Sequence, residues 1–168
     1  GREIMKTLYL IGGTMGVGKT TISKQLKQAL NQSVFLDGDW CWDMHPFIVN
    51  EETKAMVLDN ICHLLNNFIH CSSYENIIFC WVMHEQSIID DILKKLDTSN
   101  LNIKSISLIS DEASLTQRIA KDIASNLRQP DVLKRSLERL AMYQELNTIK
   151  IDTSNKDIPT IINTILKA

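Results

Sequence analysis

Long apolar runs are missing from this 168-residue sequence. The longest are only strand-length, whereas a membrane-spanning helix needs roughly 20 apolar residues, so the sequence predicts no transmembrane segment. A signal-peptide pattern is missing too, and we therefore expect a cytoplasmic protein without membrane partners. Internal repeats, low-complexity segments and linkers rich in proline or glycine are also absent. We expect one domain over residues 1–168, with residues 1–4, which precede Met5, interpreted as an added remnant.

The sequence also lacks closely spaced cysteine pairs and a large excess of either charge. The four cysteines form no CxxC pair, and the four histidines are not spaced with them as metal ligands. Unpaired thiols in a reducing compartment are the expected state, and a zinc site is disfavoured. The net charge of −2 gives no strong field that would draw the chain to nucleic acid or to an anionic membrane. Any anion-binding site must therefore be local.

Apolar, β-rich runs alternate with helical patterns along the whole chain. Such alternation predicts a parallel sheet covered by helices on both faces. The strands are expected at residues 7–11, 33–36, 76–82, 103–109 and 148–151. The helices are expected at residues 19–30, 51–70, 86–96, 111–125, 131–146 and 158–166.

Glycine is concentrated at one place, between the first predicted strand and the first predicted helix. Residues 13–20 read GTMGVGKT, which matches the phosphate-binding pattern G-x-x-x-x-G-K-[ST] at every fixed position. Glycine lets backbone N–H groups approach a phosphate closely, and the following helix directs its partially positive N-terminus at the same anion. A glycine-rich turn without a ligand is the alternative, which the complete match disfavours. We expect nucleotide binding by Gly13, Thr14, Met15, Gly16, Val17, Gly18, Lys19, Thr20 and Thr21.

The motif and its position predict individual roles for Lys19 and Thr20 and for two aspartates after the second predicted strand. Lys19 would reach the β- and γ-phosphates as a catalytic group, and the Thr20 hydroxyl would be a Mg²⁺ ligand. The stretch VFLDGDW places Asp37 and Asp39 at a strand end, which faces the ligand crevice in an open α/β sheet. One carboxylate could support hydrated Mg²⁺ while the other accepts a proton from an acceptor hydroxyl. Gly38 is expected to let the chain bend so that the two separate, although a solvated Asp-Gly turn is the alternative.

The loop, the LDGD stretch and the chain length resemble the shikimate, gluconate and adenylylsulfate kinases of the nucleoside-monophosphate-kinase-like group. The chain also resembles bacterial nucleotide-kinase or tunicamycin-resistance-like AAA-family proteins of similar length. We therefore expect a three-layer α/β fold of the P-loop NTPase type, with a five-stranded parallel sheet in the order 2-3-1-4-5. The resemblance further implies that Asp37 assists Mg²⁺ and that Asp39 contacts the acceptor hydroxyl.

Arginines in the C-terminal half fit the same resemblance. Arg118 lies in the helix after the fourth strand, where such kinases carry an arginine near the nucleotide. Arg128 and Arg139 resemble the catalytic arginines of a lid and its following helix, which clamp the transferred phosphoryl group. Guanidinium groups suit that task because they bind phosphate oxygens bidentately and stay charged. A lid-like segment is expected at residues 122–135, although Arg135 and Arg139 could instead belong to a solvated helix face.

Three further features bear on the nucleotide site: residues 149–157, the end of the third predicted strand and the lack of a guanine-binding motif. Residues 149–157 resemble the loop that wraps adenine in this group, which makes Thr153, Ser154 and Asn155 weak candidates. A helix cap at Asp157 explains the same letters. The third strand has no Asp after its apolar run, so the usual Walker B carboxylate is missing, and the lack of an NKxD motif disfavours a GTPase.

Aromatic and polar residues follow the second and third strands and would border an acceptor pocket. Trp40, Trp42 and His45 follow the Asp pair, and His84 stands near the end of the third strand. They suggest an aromatic wall with polar contacts, suited to a planar or ring-bearing acceptor. The tryptophans could equally cover a core, and His84 could be a structural histidine. The helix at residues 51–70 is expected only to pack the core.

The function expected from these features is Mg²⁺-dependent transfer of the γ-phosphoryl group of ATP to a hydroxyl or phosphate of a small molecule. ATP and that acceptor are the expected partners of a monomer or homodimer that binds no nucleic acid. The alternative is a nucleotide-binding module or slow ATPase that acts through a protein partner. The ATP turnover of such a module would not rise with an acceptor, whereas that of a kinase would.

Overall fold

A computed structural model describes residues 5–14, 16–125 and 131–168. Within these residues, five β-strands alternate with six α-helices. The strands are β1 (Lys6–Gly13), β2 (Ser33–Asp37), β3 (Asn76–Cys80), β4 (Leu101–Ile109) and β5 (Ile149–Asp152). The helices are α1 (Lys19–Ala29), α2 (Glu51–His70), α3 (Gln86–Lys95), α4 (Glu112–Ala124), α5 (Asp131–Gln144) and α6 (Ile158–Lys167), and a short 3₁₀ helix spans Gly38–Trp42.

The strands form one parallel sheet in the order β2-β3-β1-β4-β5, which confirms the predicted topology. The central strand β1 is in register with both neighbours, so that Leu10 lies opposite Phe79 of β3 and Ser105 of β4. Because every strand runs the same way, the carboxyl ends of β1, β2 and β3 meet at one edge of the sheet. Ligands of open α/β sheets bind at that edge.

The alternating side chains of β1 divide the core into two layers. Leu8 and Leu10 pack on one face with residues of α2 and α3. Tyr9 and Ile11 pack on the other face with residues of α1 and α6. This arrangement follows from the two-residue period of a strand and from burial of both faces of a parallel sheet. Helices on both faces make the predicted three-layer α/β architecture.

Side-chain caps explain where several helices begin. Asn50 and Thr53 form a capping box at α2, in which each backbone N–H donates to the other residue's side-chain oxygen at 2.9 Å. Asp111 caps α4 and Asp157 caps α6; in each case the aspartate side chain accepts from the backbone N–H three residues later. In contrast, α1 begins after Gly18 without any side-chain cap. The N-terminus of α1 is thus left without a side-chain acceptor from its N-cap residue.

The segments after β2 and β3 differ from the expected pattern. The third strand was predicted to reach Val82, but β3 ends at Cys80. Trp81 continues the ladder by one bond only, since its backbone N–H donates to the Ile11 carbonyl at 3.1 Å. The 3₁₀ helix after β2 was not predicted. No helix among the described residues is long and apolar enough to span a bilayer.

Candidate active site

Gly13, Gly16 and Gly18, in the loop that joins β1 to α1, have positive φ angles that L side chains rarely adopt, and at Gly13 and Gly16 an added Cβ would also meet neighbouring atoms. Gly13 has φ +154°, and a Cβ there would lie 2.8 Å from Val17 Cγ1 and 2.9 Å from the Leu108 carbonyl oxygen. Gly16 has φ +85°, and a Cβ there would lie 2.6 Å from Ile119 Cγ1. These contacts are closer than real Cβ atoms make. The loop is thus shaped by packing against β4 and α4 as well as by its own turn.

Two polar residues of this segment, Thr14 and Lys19, are in contact. Lys19 lies at the start of α1, and its Nζ donates to the Thr14 carbonyl at 3.4 Å. The Thr14 hydroxyl is buried and makes no hydrogen bond within the described residues. Thr21 is exposed on α1. Met15, the remaining predicted member of the loop, lies outside the described residues.

The two residues predicted on the metal side, Thr20 and Asp37, are in direct contact. The Thr20 hydroxyl donates to Asp37 Oδ2 at 3.0 Å, and the backbone N–H of Asp39 donates to Asp37 Oδ1 at 2.9 Å. Asp37 is buried, with 7% of its surface exposed. Both carboxylate oxygens of Asp37 therefore have a hydrogen-bond donor, one from α1 and one from the chain after β2.

Gly38 is explained by a contact rather than by a bend. Its φ lies outside the left-handed region, but a Cβ there would lie 2.6 Å from Trp81 Cγ. The indole of Trp81 thus packs directly on the backbone between the two carboxylates. The chain turns at this point because it enters the 3₁₀ helix. Asp37 remains buried beside Thr20, while Asp39 is exposed and lines a cleft.

This cleft, which contains residues predicted to border an acceptor and is called the acceptor cleft below, has a volume of about 810 Å³. Its polar lining consists of Asp39, Lys54, His84, Asp91 and Arg139. Its apolar lining consists of Trp42, Phe47, Val49, Leu58, Trp81, Val82 and Ile88. The volume falls within the range of small-molecule sites, and a mostly apolar wall with a few polar groups is typical of them.

Four of the predicted site residues, Asp39, Trp42, His84 and Arg139, line the acceptor cleft together. Trp40 and His45 do not. Trp40 is 54% exposed and packs edge-on against Phe35, with ring centroids 5.3 Å apart, and His45 is exposed.

Helices α2 and α3 also contribute to the cleft, which the sequence analysis missed. Lys54 and Leu58 from the first turns of α2 and Ile88 and Asp91 from α3 line it. The expectation that α2 only packs the core was therefore too narrow. The signal in the sequence was the i, i+4 spacing of Lys54 and Leu58, which places both side chains on one face of α2 near its capped start.

The surroundings of His84 lower the pKa of its ring. Burial is the largest cause that lowers its pKa below the ordinary value of 6.5, and the charge of Arg139 lowers it further. Glu85, whose Oε1 lies 3.6 Å from His84 Nε2, opposes this shift. Nδ1 is buried and has no hydrogen-bond partner within the described residues. A neutral ring at the cleft can both donate to and accept from a ligand.

Among the described residues, Arg139 of α5 lines two neighbouring cavities. It lines the acceptor cleft, and it also lines a small crevice that includes Thr14 of the loop. Arg135, one turn earlier, lines the same crevice and lies 3.6 Å from Asp131. Arg128 lies outside the described residues, as do residues 126–130 of the predicted lid.

Arg118 braces the phosphate-binding loop. Its Nη1 donates to the Val17 carbonyl at 2.7 Å, and its Nη2 donates to the Thr153 carbonyl at 3.4 Å. Thr153 is itself fixed, because its backbone N–H and hydroxyl both donate to the Ile109 carbonyl. The loop after β5 is therefore tied to the P-loop, while the Asp157 cap accounts for the start of α6.

Neighbouring Ser154 and Asn155 have local roles in the same loop. The Ser154 hydroxyl accepts from the Asp111 backbone N–H at 2.7 Å, which joins the loop to the start of α4. Asn155 has a left-handed backbone with φ +54°.

The fold and the loop together define a P-loop domain. A family model described as AAA domain matches residues 10–139, and the chain therefore belongs to the AAA domain family. No curated protein sequence matches the chain.

Solved structures with this fold include several kinases. A gluconokinase from Sinorhizobium meliloti superposes with a TM-score of 0.71 at 16% identity, over 98% of this chain and 92% of the other. A Deinococcus radiodurans tunicamycin resistance protein gives 0.68 at 17% identity, over 96% and 94%. A shikimate kinase from Acinetobacter baumannii in complex with shikimate gives 0.63 at 18% identity, over 97% and 92%. At these identities the similarity establishes the shared fold.

Proposed function

We propose that this protein is an ATP- and Mg²⁺-dependent kinase that transfers the γ-phosphoryl group of ATP to a hydroxyl group of a small molecule. The observation that carries the proposal is the different placement of two nearby carboxylates. Asp37 is bonded to Thr20 beside the phosphate-binding loop, whereas Asp39 lines the acceptor cleft. A metal side and an acceptor side are thereby joined at one edge of the sheet.

The residues of the loop fit a nucleotide triphosphate with its metal. The uncapped first turn of α1 and the glycine backbone suit phosphate oxygens, and the buried Thr14 hydroxyl has no protein partner within the described residues. Lys19 would bind the β- and γ-phosphates, Thr20 would ligate Mg²⁺, and Asp37 would orient Thr20. When bound, ATP supplies the phosphoryl group and Mg²⁺ neutralises charge on its phosphates.

The acceptor side would supply the base and the stabilising charge. Asp39 would accept the proton of the acceptor hydroxyl as its oxygen bonds to the γ-phosphorus and the bond to the ADP oxygen breaks. Arg139 borders both Thr14 and the cleft, so its guanidinium can stabilise the negative charge of the group in transfer. Arg128 would assist from the proposed lid at residues 122–135, whose closure would exclude water.

The proposal is supported by the kind of proteins that share the fold. Among the neighbours are proteins named gluconokinase and shikimate kinase. We propose that this chain performs the same class of reaction as a single cytoplasmic domain.

The test is acceptor-stimulated ATP turnover. ADP formation with Mg²⁺ is measured alone and with a panel of alcohols, nucleosides, nucleotides and sugar acids, and each product is examined by mass spectrometry for one added phosphoryl group. A kinase forms ADP and phosphorylated acceptor in equal amounts. Turnover that no acceptor raises, with phosphate released to water, would instead identify a slow ATPase or a nucleotide-binding module.

A further inference from the structure

Five buried polar side-chain atoms have no hydrogen-bond partner in the part of the chain that the structure describes. They are Thr14 Oγ1, Ser23 Oγ, His84 Nδ1, Ser105 Oγ and the Tyr143 hydroxyl. The large majority of buried polar groups in proteins are paired, because an unpaired group loses its hydration without compensation. Each exception therefore needs an explanation, and a functional role is one such explanation.

Three of these five atoms lie around one side chain, Arg139. Arg139 lines a crevice with Thr14 and lines the acceptor cleft with His84. Tyr143 lies four residues after Arg139 on α5, so the two side chains share one face of that helix. Burial lowers the pKa of His84 and raises that of Tyr143, and the nearby positive charge of Arg139 lowers both. The unpaired atoms of Thr14, His84 and Tyr143 therefore have the same guanidinium group as a neighbour.

Tyr143 connects this helix face with the phosphate-binding loop. It is fully buried, with 0% of its surface exposed, and it belongs to the core layer that contains Leu10 of β1. The backbone N–H of Gly13 lies close enough to oppose the rise in the pKa of Tyr143 that burial causes, although the hydroxyl makes no hydrogen bond of ordinary geometry. A phenylalanine would fill the same space without burying an unpaired hydroxyl. Packing alone therefore does not explain a tyrosine at this position.

We propose that Tyr143 is a positioning residue, whose hydroxyl orients the guanidinium group of Arg139 towards the phosphate-binding loop when a nucleoside triphosphate is bound. The inference rests on the proposed phosphoryl transfer, and it adds to that mechanism a residue outside the loop and its aspartates. A tyrosine hydroxyl can accept from a guanidinium N–H. This bond would hold Arg139 in the orientation that stabilises the group in transfer. Tyr143 acts through Arg139 and does not itself contact the nucleotide or the acceptor.

A double-mutant cycle of Tyr143→Phe and Arg139→Ala tests the inference. Single-turnover transfer of the labelled γ-phosphoryl group of ATP is measured with Mg²⁺ and the full chain. The acceptor is the compound that raises ADP formation most, or water where none does. Tyr143→Phe should slow transfer about tenfold, as expected for loss of a hydrogen bond to a charged group. When Arg139 is already alanine, the same change should slow transfer by less than about twofold, because the two residues act as one unit.

Two further measurements separate a positioning role from a structural one. The dissociation constant of a non-hydrolysable ATP analogue with Mg²⁺ should be the same in Tyr143→Phe and the wild type. Urea denaturation of Tyr143→Phe should give a higher midpoint than the wild type, because the substitution removes an unpaired buried hydroxyl. Tyr9→Phe is the matched control, since Tyr9 is also buried but packs in the opposite core layer. It should transfer the phosphoryl group at the wild-type rate.

The outcomes distinguish this inference from the kinase function. Transfer by Tyr143→Phe at the wild-type rate overturns the inference, and so does an equal slowing with and without Arg139. A lower urea midpoint for Tyr143→Phe overturns it as well, since the hydroxyl would then stabilise the fold itself. The expected coupling between the two residues, with transfer to water alone, would support the role of Tyr143 and contradict the kinase function. The absence of any transfer would overturn both.

Discussion

The Thr20 hydroxyl donates to Asp37 Oδ2 at 3.0 Å, and this bond joins the first turn of α1 to the last residue of β2. The bond gives the phosphate-binding loop a carboxylate from an adjacent part of the sheet. It also fixes the point from which the chain turns towards Asp39 and the acceptor cleft. The position of the Asp39 carboxylate is thereby coupled to that of the loop.

Asp37→Asn should raise the Mg²⁺ concentration needed for half-maximal turnover. The amide oxygen can still accept from the Asp39 backbone N–H while its NH₂ group donates to the Thr20 hydroxyl, so the fold and metal-free nucleotide binding should persist, but the negative charge is lost. Loss of a supporting group beside a metal ligand typically costs about 10–100-fold in metal affinity or activity. The measurement is a Mg²⁺ titration of ATP turnover. An unchanged titration curve would show that Asp37 serves only the fold.

Gly13→Ala should destabilise the protein, and Gly12→Ala should not. At Gly13 a Cβ would meet the Leu108 carbonyl oxygen at 2.9 Å, whereas at Gly12 the nearest atoms are at 3.6 Å. Overpacking against backbone costs about 1–3 kcal/mol. Urea denaturation of both variants measures the difference in unfolding free energy. Equal stability of the two variants would contradict the close packing of the loop on β4.

Arg139→Ala should reduce acceptor phosphorylation by a factor on the order of a thousand, as expected for loss of an arginine that stabilises the transferred group. Nucleotide binding should remain. Lys134→Ala is the control on the same helix, because Lys134 is exposed and pairs with Glu138 at 3.8 Å. Steady-state rates and nucleotide dissociation constants are compared for the two variants. Similar rates for both would remove Arg139 from the mechanism.

His84 should make the unfolding free energy fall as the pH drops below about 6.5, its ordinary pKa. Burial and Arg139 lower the pKa of His84 in the folded state, so the unfolded state binds the proton first. The contribution of His84 to the unfolding free energy is complete above its pKa in the unfolded state, and it is lost as the pH falls towards its lower pKa in the folded state. Aspartates with lowered pKa values titrate below 3.8 and do not overlap.

Chemical denaturation between about pH 7.5 and about pH 5.5 checks this expectation. His84→Gln should lose less stability over that interval than the wild type, and His63→Gln, at an exposed position of α2, should behave like the wild type. An identical pH dependence of His84→Gln and the wild type would contradict it.

Sequence reasoning succeeded where the signal is local. The alternation of strands and helices, the glycine loop and the predicted range of α2 (residues 51–70) depend on short-range periodicity and capping, and each agrees with the structure. The order of the strands followed from the same pattern together with the family resemblance.

Contacts between distant residues were beyond that reasoning. Gly38 directly follows β2 and Trp81 directly follows β3, yet the two are in contact. The nearby sequence could not predict this contact, and it therefore could not explain why position 38 is a glycine. Trp40 and Trp42 were both expected to contribute to the aromatic wall of the acceptor pocket. In a 3₁₀ helix with about three residues per turn, residues two apart are separated by roughly 240°. Only Trp42 consequently lines the cleft.

Transfer of the labelled γ-phosphoryl group of ATP is the most direct test of the central claim. It is measured with the acceptor that raises ADP formation most, in the wild type, Lys19→Ala and Asp39→Asn, and nucleotide binding is measured in parallel. We expect Lys19→Ala to lose most nucleotide binding and transfer. We expect Asp39→Asn to bind nucleotide normally and to transfer about a hundredfold more slowly, since the amide cannot accept the proton. Transfer by Asp39→Asn at the wild-type rate, or unchanged binding and transfer by Lys19→Ala, would contradict the proposed kinase mechanism.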